Sequence, residues 1–304
     1  MNQHWHWQTW QDYAYLTCDL LSPWQHGFFT QEFYPRTPED LTSIWQLSDP
    51  HGHASKGKSF RASRSPITAY RVKQIHGNLV LTPQEITDTV NQLNSPHELA
   101  EADAVISDYA PLKDLLSPSD LIRNRVAHTL TDRSQESVWA ASADCTPVLI
   151  GDIATGQVCA IHAGWRGTAQ KIVPQAISRF LEFGSKKSSL RVAIGPAISG
   201  KMYQVDEKVA IEVARSILPQ PNLESETVLN KLKQFPHAPI LEDELPGKVR
   251  LDVPRINHLQ LEQLGIDPVQ IAIAPYCTFQ EKDLFFSYRR TGEKKVQWSG
   301  IVSR

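Results

Sequence analysis

Cysteine is scarce. Only Cys18, Cys145, Cys159 and Cys277 occur in 304 residues, too few for a disulfide framework, so a thiol in a suggestive setting points to metal or catalytic use before cross-linking. No uncharged apolar run approaches ~20 residues, which leaves no segment to span a membrane as a helix. The start, Met1-Asn2-Gln3-His4-Trp5-His6-Trp7, lacks the basic and apolar stretches of a secretory leader, and a cytoplasmic protein is expected. Lys and Arg form no long run and the formal charge is -2, so neither nucleic acid nor an anionic membrane is an expected partner. Internal repeats and low-complexity segments are absent too. What is present, 41% apolar and 21% charged residues, describes a globular chain with a sizeable core, suited to small-molecule chemistry.

Short β-rich runs alternate with helical patterns, which predicts an α/β or α+β protein with mixed sheets. Residues 69–75 and 79–82 read as strands around His76-Gly77-Asn78, a tight turn by composition. Residues 137–143, 147–151 and 157–161 read as three apolar strands. The last two are joined by Asp152-Ile153-Ala154-Thr155-Gly156, which has hairpin-turn composition. After Gly167 a helix is predicted with Ile172, Val173, Ala176, Ile177, Phe180 and Leu181 on one face, ending at Gly184. Residues 191–194 read as a strand and 206–218 as a helix capped by Asp206, with Val209, Val213 and Ile217 inward. Residues 254–264 read as a helix with Pro254 in its first turn, and 270–276 as a final buried strand. Residues 48–66 have the polar, aperiodic composition of a surface loop, and 219–248 that of a polar excursion with little regular structure.

Three soft-metal ligands stand apart in sequence, each at a turn beside an apolar run: His76, Cys145 in Ala143-Asp144-Cys145-Thr146-Pro147, and His162 in His162-Ala163-Gly164-Trp165-Arg166-Gly167. Two imidazoles and a thiolate suit zinc or copper, and three protein ligands leave a position open for water or substrate. The predicted hairpin makes Cys145 and His162 neighbours at strand ends. Asp144 could then hold an imidazole by its other N–H, or accept backbone donors. Taken singly, each residue is as readily a buried thiol, a core-edge imidazole or a turn histidine, and no C-x-x-C or H-E-x-x-H signature joins them. Arg166 in a glycine-flanked turn, Tyr203, Phe286 and Arg289 could supply anion binding and an aromatic platform, or simply fill the core. The pairs His4/His6 and His51/His53 are assigned to a mobile terminus and to the polar loop, outside the site.

Together these segments resemble a known family, the multicopper polyphenol oxidase or laccase-domain proteins, also described as purine nucleoside phosphorylases and peptidoglycan editing factors. The matching stretches run in order from Gln74-Ile75-His76-Gly77 through Glu101-Ala102-Asp103-Ala104, Ala143–Leu149, His162–Gly167, Gly195–Ile198 and Leu251-Asp252 to Cys277-Thr278 and Phe286-Ser287-Tyr288-Arg289-Arg290. The resemblance implies one domain over 1–304 with a four-layer α/β/β/α sandwich, in which 1–68 is a divergent N-terminal part. Gln31–Arg36 stands where the family carries an Arg-x-Gly-Gly-x-Ser segment. It implies zinc, with copper as the alternative, on His76, Cys145 and His162, and phosphorolysis of adenosine, inosine and methylthioadenosine together with adenosine deamination. Catalytic roles would then fall to Cys145, Asp144 and Arg166, and contacts to nucleoside and phosphate to Arg166, Tyr203, Phe286 and Arg289. Three other readings stay open on the residues alone: a copper-dependent phenol oxidase, a cysteine hydrolase or peptidoglycan precursor editing enzyme using Cys145 and His162, and a metal-stabilised binding module without activity. Monomer and homodimer are equally open.

Overall fold

The computed structural model describes residues 4–47, 66–93, 98–108, 135–218, 220 and 223–304. Most of the polar stretch 48–66, with His51 and His53, lies outside them. Two six-stranded mixed sheets carry the fold. The first orders β1 (Trp5–Trp10), β2 (Tyr13–Cys18), β3 (His26–Phe29), β15 (Gln297–Val302), β7 (Glu136–Ser142) and β4 (Thr68–Tyr70), antiparallel except for the β4–β7 pair. The second orders β14 (Ile271–Ile273), β10 (Leu190–Ile194), β8 (Thr146–Asp152), β9 (Val158–Ala163), β6 (Ala104–Ile106) and β5 (Val80–Leu81). Its two outer pairs, β10–β14 and β5–β6, run parallel. The small third sheet contains β11 (Gln204–Asp206), β13 (Lys248–Leu251) and β12 (Ile240–Glu242). The helices are α1 (Pro38–Leu47), α2 (Pro83–Gln92), α3 (Trp165–Ala169), α4 (Ile172–Glu182), α5 (Glu207–Ala214), α6 (Ser225–Lys233), α7 (Val253–Gln263) and the single turn α8 (Tyr288–Thr291).

Strand periodicity explains the layers. Along β8 and β9, Leu149, Val158 and Ala160 face the first sheet and meet Leu16, Phe28, Val138, Ala140 and Ile301 there. Their neighbours Val148, Ile150, Cys159 and Ile161 face the other way, onto Ile172, Val173, Ala176, Ile177 and Phe180 of α4. Both faces are dry, which is why these strands read as continuous apolar runs. On the far side of the first sheet, α1 packs Leu41, Ile44 and Trp45 against Phe29, Phe33 and Trp139, with the Trp45 and Trp139 rings stacked 5.0 Å apart. The result is the expected α/β/β/α sandwich in one domain.

Several local expectations are corrected. Residues flanking His76 do not pair as a hairpin: β4 joins the first sheet and β5 the second, so the segment between them crosses the sandwich. The chain bends at His76 and Gly77, with the positive φ on His76 rather than on Gly77 or Asn78 as the composition suggests, and composition says nothing about which sheet receives each arm. Leu181 is exposed on α4, which ends at Glu182 before Gly184 takes φ +91. Helix α5 stops at Ala214, short of Leu218, and Asp206 forms no side-chain cap there; its carboxylate accepts from Lys248 instead. The stretch 219–248 is partly regular, contributing α6 and β12, which bury Val228, Leu232 and Ile240 in a separate apolar cluster with α5. The strand expected over 270–276 shrinks to three residues at a sheet edge. The last strand is β15, central in the first sheet and unmarked by apolar alternation. His6 sits in β1, bonded to Asp19 at 2.8 Å, rather than in a loose terminus.

The end of β10 packs tightly against the first sheet. A Cβ on Gly195 would lie 2.1 Å from Cε1 of Phe28, deep in the inter-sheet layer. Gly195→Ala is expected to destabilise the protein by about 1–3 kcal/mol or more, as overpacking of a tight core does, measured by denaturant unfolding.

Candidate metal centre

The register of β8 on β9 assembles the first two members of the site. Thr146 pairs with Ala163 and Pro147 with His162, so one step further along the ladder Cys145 faces Gly164. His162 and Cys145 share the face that looks toward the first sheet, at the end of the inter-sheet layer. The crossing segment delivers His76 to the same place. Its approach is fixed from both sides: the Gln74 side chain both donates to Ala141 O (2.8 Å) and accepts from Ala141 N–H (2.7 Å), imitating a strand partner of β7, while Lys73 bridges to Glu101 beside β6. Asn78 Nδ2 donates to Gln170 O at 3.0 Å and closes the far end.

The ligand atoms of His76, Cys145 and His162 lie within 4.8 Å of one another. Cys145 Sγ is 4.0 Å from His76 Nε2, and the two imidazoles meet edge to face with centroids 4.8 Å apart. Bond lengths of about 2.3 Å to sulfur and 2.0–2.1 Å to nitrogen separate the ligands of a tetrahedral ion by roughly 3.5 Å, so the set closes around an ion by a contraction of up to about 1.3 Å. Gly164 keeps the centre clear: a Cβ there would lie 3.1 Å from both Cys145 Sγ and His76 Cδ2. Among the described residues this is the one group of three or more His, Cys, Asp or Glu side chains placed to hold an ion.

Electrostatics in the metal-free site favour a thiolate and an imidazolium. Burial alone would raise the Cys145 thiol, but hydrogen bonds from His162 and His76 outweigh it and bring the pKa down to about 6. Burial alone would lower His162; bonds to Asp103 and Cys145 reverse that and raise it to about 9.

The carboxylate beside His162 is Asp103, which the residue-level reading passed over. Asp103 extends β6 by one step and so lies opposite His162 on β9, whose N–H donates to Asp103 O at 2.8 Å. Its Oδ1 accepts from His162 Nδ1 (2.9 Å) and from His76 N–H (2.9 Å); Oδ2 accepts from Gly77 N–H (2.6 Å) and Ile75 N–H (3.3 Å). Burial pushes this carboxyl up, and these bonds, His162 first, hold it below the usual carboxylate range. The Glu101-Ala102-Asp103-Ala104 stretch was the available signal.

Asp144 holds no imidazole among the described residues; of the two roles expected of it, it takes the acceptance of a backbone donor. At φ +86 it aims its carboxylate at the C-terminal segment, accepting from Thr278 Oγ1 (2.7 Å), Ser287 Oγ (3.0 Å) and Arg289 N–H (2.7 Å). Arg289 is thereby held with its guanidinium 4.9 Å over the Tyr203 ring, donating to Gln204 O at 2.7 Å. Arg290 is fully engaged elsewhere, on the carbonyls of Thr278, Phe279 and Phe285. Tyr203 lines a small recess open to solvent, with Asp144, Cys145, Gly164, Trp165, Ile198 and Val253 also in its walls. Burial, then the Cys145 charge, push the Tyr203 hydroxyl up to about 12 against the pull of Arg289; it stays a donor at neutral pH. Arg166 stacks on Trp165 at 4.3 Å. Phe286, expected as a platform for substrate, meets Tyr34 edge-on at 5.5 Å, with Lys295 6.0 Å above its ring.

Two outcomes follow from this geometry. Gly164→Ala should abolish metal uptake while the metal-free fold loses no more than about 1–2 kcal/mol, read by metal analysis beside denaturant unfolding. In metal-free protein the thiolate absorbance of Cys145 should titrate near pH 6. The depressed thiol adds stability as pH rises from about 6 toward 9, and the raised imidazole removes it as pH rises from 6.5 toward about 9. The two slopes oppose, so this pair should leave unfolding free energy nearly flat across that window, and Cys145→Ser should expose the falling limb of His162 only insofar as Asp103 sustains it.

Residues 123–303 match the family model described as multi-copper polyphenol oxidoreductase laccase. A purine nucleoside phosphorylase of Synechocystis sp. is 47% identical over 300 residues, 98% of this chain and 97% of its own length. One of Bacteroides thetaiotaomicron is 27% identical over 257 residues, 83% of this chain and 88% of its own. Among solved structures, YlmD from Geobacillus stearothermophilus shares the fold with a TM-score of 0.65 at 21% identity, over 98% of both chains. The match to the family model and the near full-length relative together place this chain in the multi-copper polyphenol oxidoreductase laccase family.

Proposed function

We propose that this protein is a zinc-dependent purine nucleoside phosphorylase, acting on adenosine, inosine and methylthioadenosine, and that the same site deaminates adenosine. The observation that carries the reading is a three-ligand set, His76, Cys145 and His162, standing beside a recess lined by Tyr203, on which Arg289 stacks. The Synechocystis and Bacteroides relatives bear the name of that activity. Two imidazoles and a thiolate match zinc, and zinc when bound supplies Lewis-acid polarisation of an oxygen or a water of lowered pKa.

The chain's own residues account for the rest. Tyr203 offers its ring edge and a hydroxyl donor within a largely apolar recess, which suits a flat heterocycle. Arg289, fixed through Asp144, provides a guanidinium for phosphate, and Arg166 a second cation near the mouth. Asp144 therefore acts by holding Arg289 and the chain around Ser287, with its oxygens already committed to three donors. In phosphorolysis the glycosidic C–N bond breaks, a phosphate oxygen joins the anomeric carbon, and the departing base gains a proton. In deamination, water adds to the purine carbon and ammonia leaves.

Copper on the same ligands is the second reading, favoured by the description of the family model. Four-electron reduction of oxygen calls for several coppers, and the described residues assemble one ligand cluster. Oxygen uptake with phenols by copper-loaded protein would support it.

Protein purified without added metal should contain about one zinc per chain by metal analysis and release adenine from adenosine only when phosphate is present; inosine in either case marks deamination. Cys145→Ala should lose both metal and turnover, and undiminished nucleoside cleavage by that variant would overturn the proposal. Arg289→Gln should raise the KM for phosphate about tenfold or more, as loss of a charge-assisted bond does, with metal content unchanged.

A further inference from the structure

Asp103 touches neither recess nor solvent, yet one carboxylate accepts from four donors that belong to two separate parts of the candidate metal centre: the imidazole of His162 on β9 and the consecutive N–H groups of Ile75, His76 and Gly77 on the crossing segment. It is 1% exposed, and His162 is 3% exposed. We propose that Asp103 is the positioning residue of the metal centre, committing His162 to ligate through Nε2 and holding His76 in the turn that presents its own Nε2 to the same point. The inference rests on the metal-site reading and adds a residue that has no ligand role.

The argument is one of donors and acceptors. An ionised carboxylate only accepts, so the ring nitrogen facing it must carry the hydrogen; Nδ1–H of His162 then points at Asp103, and the lone pair sits on Nε2, toward Cys145 and His76. The other half of the contact concerns backbone. His76 has φ +61, a left-handed conformation that a residue with a β-carbon adopts at a cost. Three successive N–H groups converging on one anion offset that cost in the way an anion-binding nest does. Gln74 anchors the segment to β7 from the other sheet, but touches neither imidazole. Asp103 joins the two histidines from the side away from Cys145, through the His162 ring and the His76 backbone.

An amide cannot replace the carboxylate. In Asp103→Asn one orientation sets the amide N–H₂ against the N–H groups of Ile75 and Gly77. The other sets it against His76 N–H and His162 Nδ1, which drives the imidazole hydrogen to Nε2 and blocks ligation. Either way a donor faces a donor. Removing such a partner lowers metal affinity roughly 10–100-fold.

The test is a zinc competition titration with a chromophoric chelator on wild type, Asp103→Asn and Gln74→Ala, together with the absorption spectrum of each after cobalt(II) loading. The expected result is a 10–100-fold weaker zinc affinity in Asp103→Asn with altered cobalt bands, and a smaller loss in Gln74→Ala with the wild-type band pattern kept. Affinity within threefold of wild type and an unchanged cobalt spectrum in folded Asp103→Asn overturns the inference. Wild type that takes up neither zinc nor cobalt overturns the metal reading itself, and this inference with it. Should Asp103→Asn not fold, ¹⁵N-histidine NMR on zinc-loaded wild type decides: a slowly exchanging Nδ1–H on His162 supports the role, and zinc on Nδ1 with hydrogen on Nε2 removes it.

Discussion

Antiparallel pairing of β8 with β9 is the constraint from which the site follows. One register places Cys145 opposite Gly164, puts His162 one step along, and turns both side chains to the face shared with the first sheet. A slip of one residue would carry them to the opposite face, under α4. The same pairing buries Leu149 and Ala160 between the sheets and Ile150 and Ile161 beneath the helix, so the energy that fixes the register comes from the core on both sides. The candidate centre is tied to ordinary packing: Cys145 and His162 are aligned because misalignment would expose two apolar layers.

Sequence revealed those parts of the design that are local. The β8–β9 hairpin announces itself through two apolar runs and a turn of fitting composition, and α4 and α7 through helical spacing, with Pro254 in the first turn of α7; the cap by Asp252, whose side chain accepts from Arg255 N–H, shows only in the structure. What stayed hidden is non-local. His76-Gly77-Asn78 has the chemistry of a turn, but its flanks join different sheets, a fact carried by β7 and β6 rather than by the turn. Strand β15 owes its existence to β3 and β7 on either side; its own residues, Gln297 to Val302, include polar and glycine positions that mute the pattern. Asp103 follows Glu101 by two residues before a three-residue strand, and its role comes from its pairing across to His162, 59 residues later.

The two aspartates show how residue type underdetermines role. Asp144 adjoins a ligand in sequence and Asp103 does not, yet Asp103 meets the imidazole while Asp144 reaches to Thr278, Ser287 and Arg289. Each carboxylate ties the site to a distant piece of chain, one to the crossing segment and the other to the C-terminal turn. The recess therefore has a floor built by the central sheets and a cationic rim, Arg289, brought in by the tail.

Its remaining wall has a different origin. Trp165, Tyr203 and Val253 belong to the apolar cluster built around the third sheet with Val205, Val213, Val228 and Leu251, outside the two layers that hold the ligands. Substitutions in that cluster reshape the mouth without touching the strand pairing that aligns Cys145 and His162. Inheritance can thus act on the two halves separately: one lineage of changes retunes which molecule is admitted while the reactive floor is passed on intact, so a single scaffold can diversify its appetite without reinventing its chemistry.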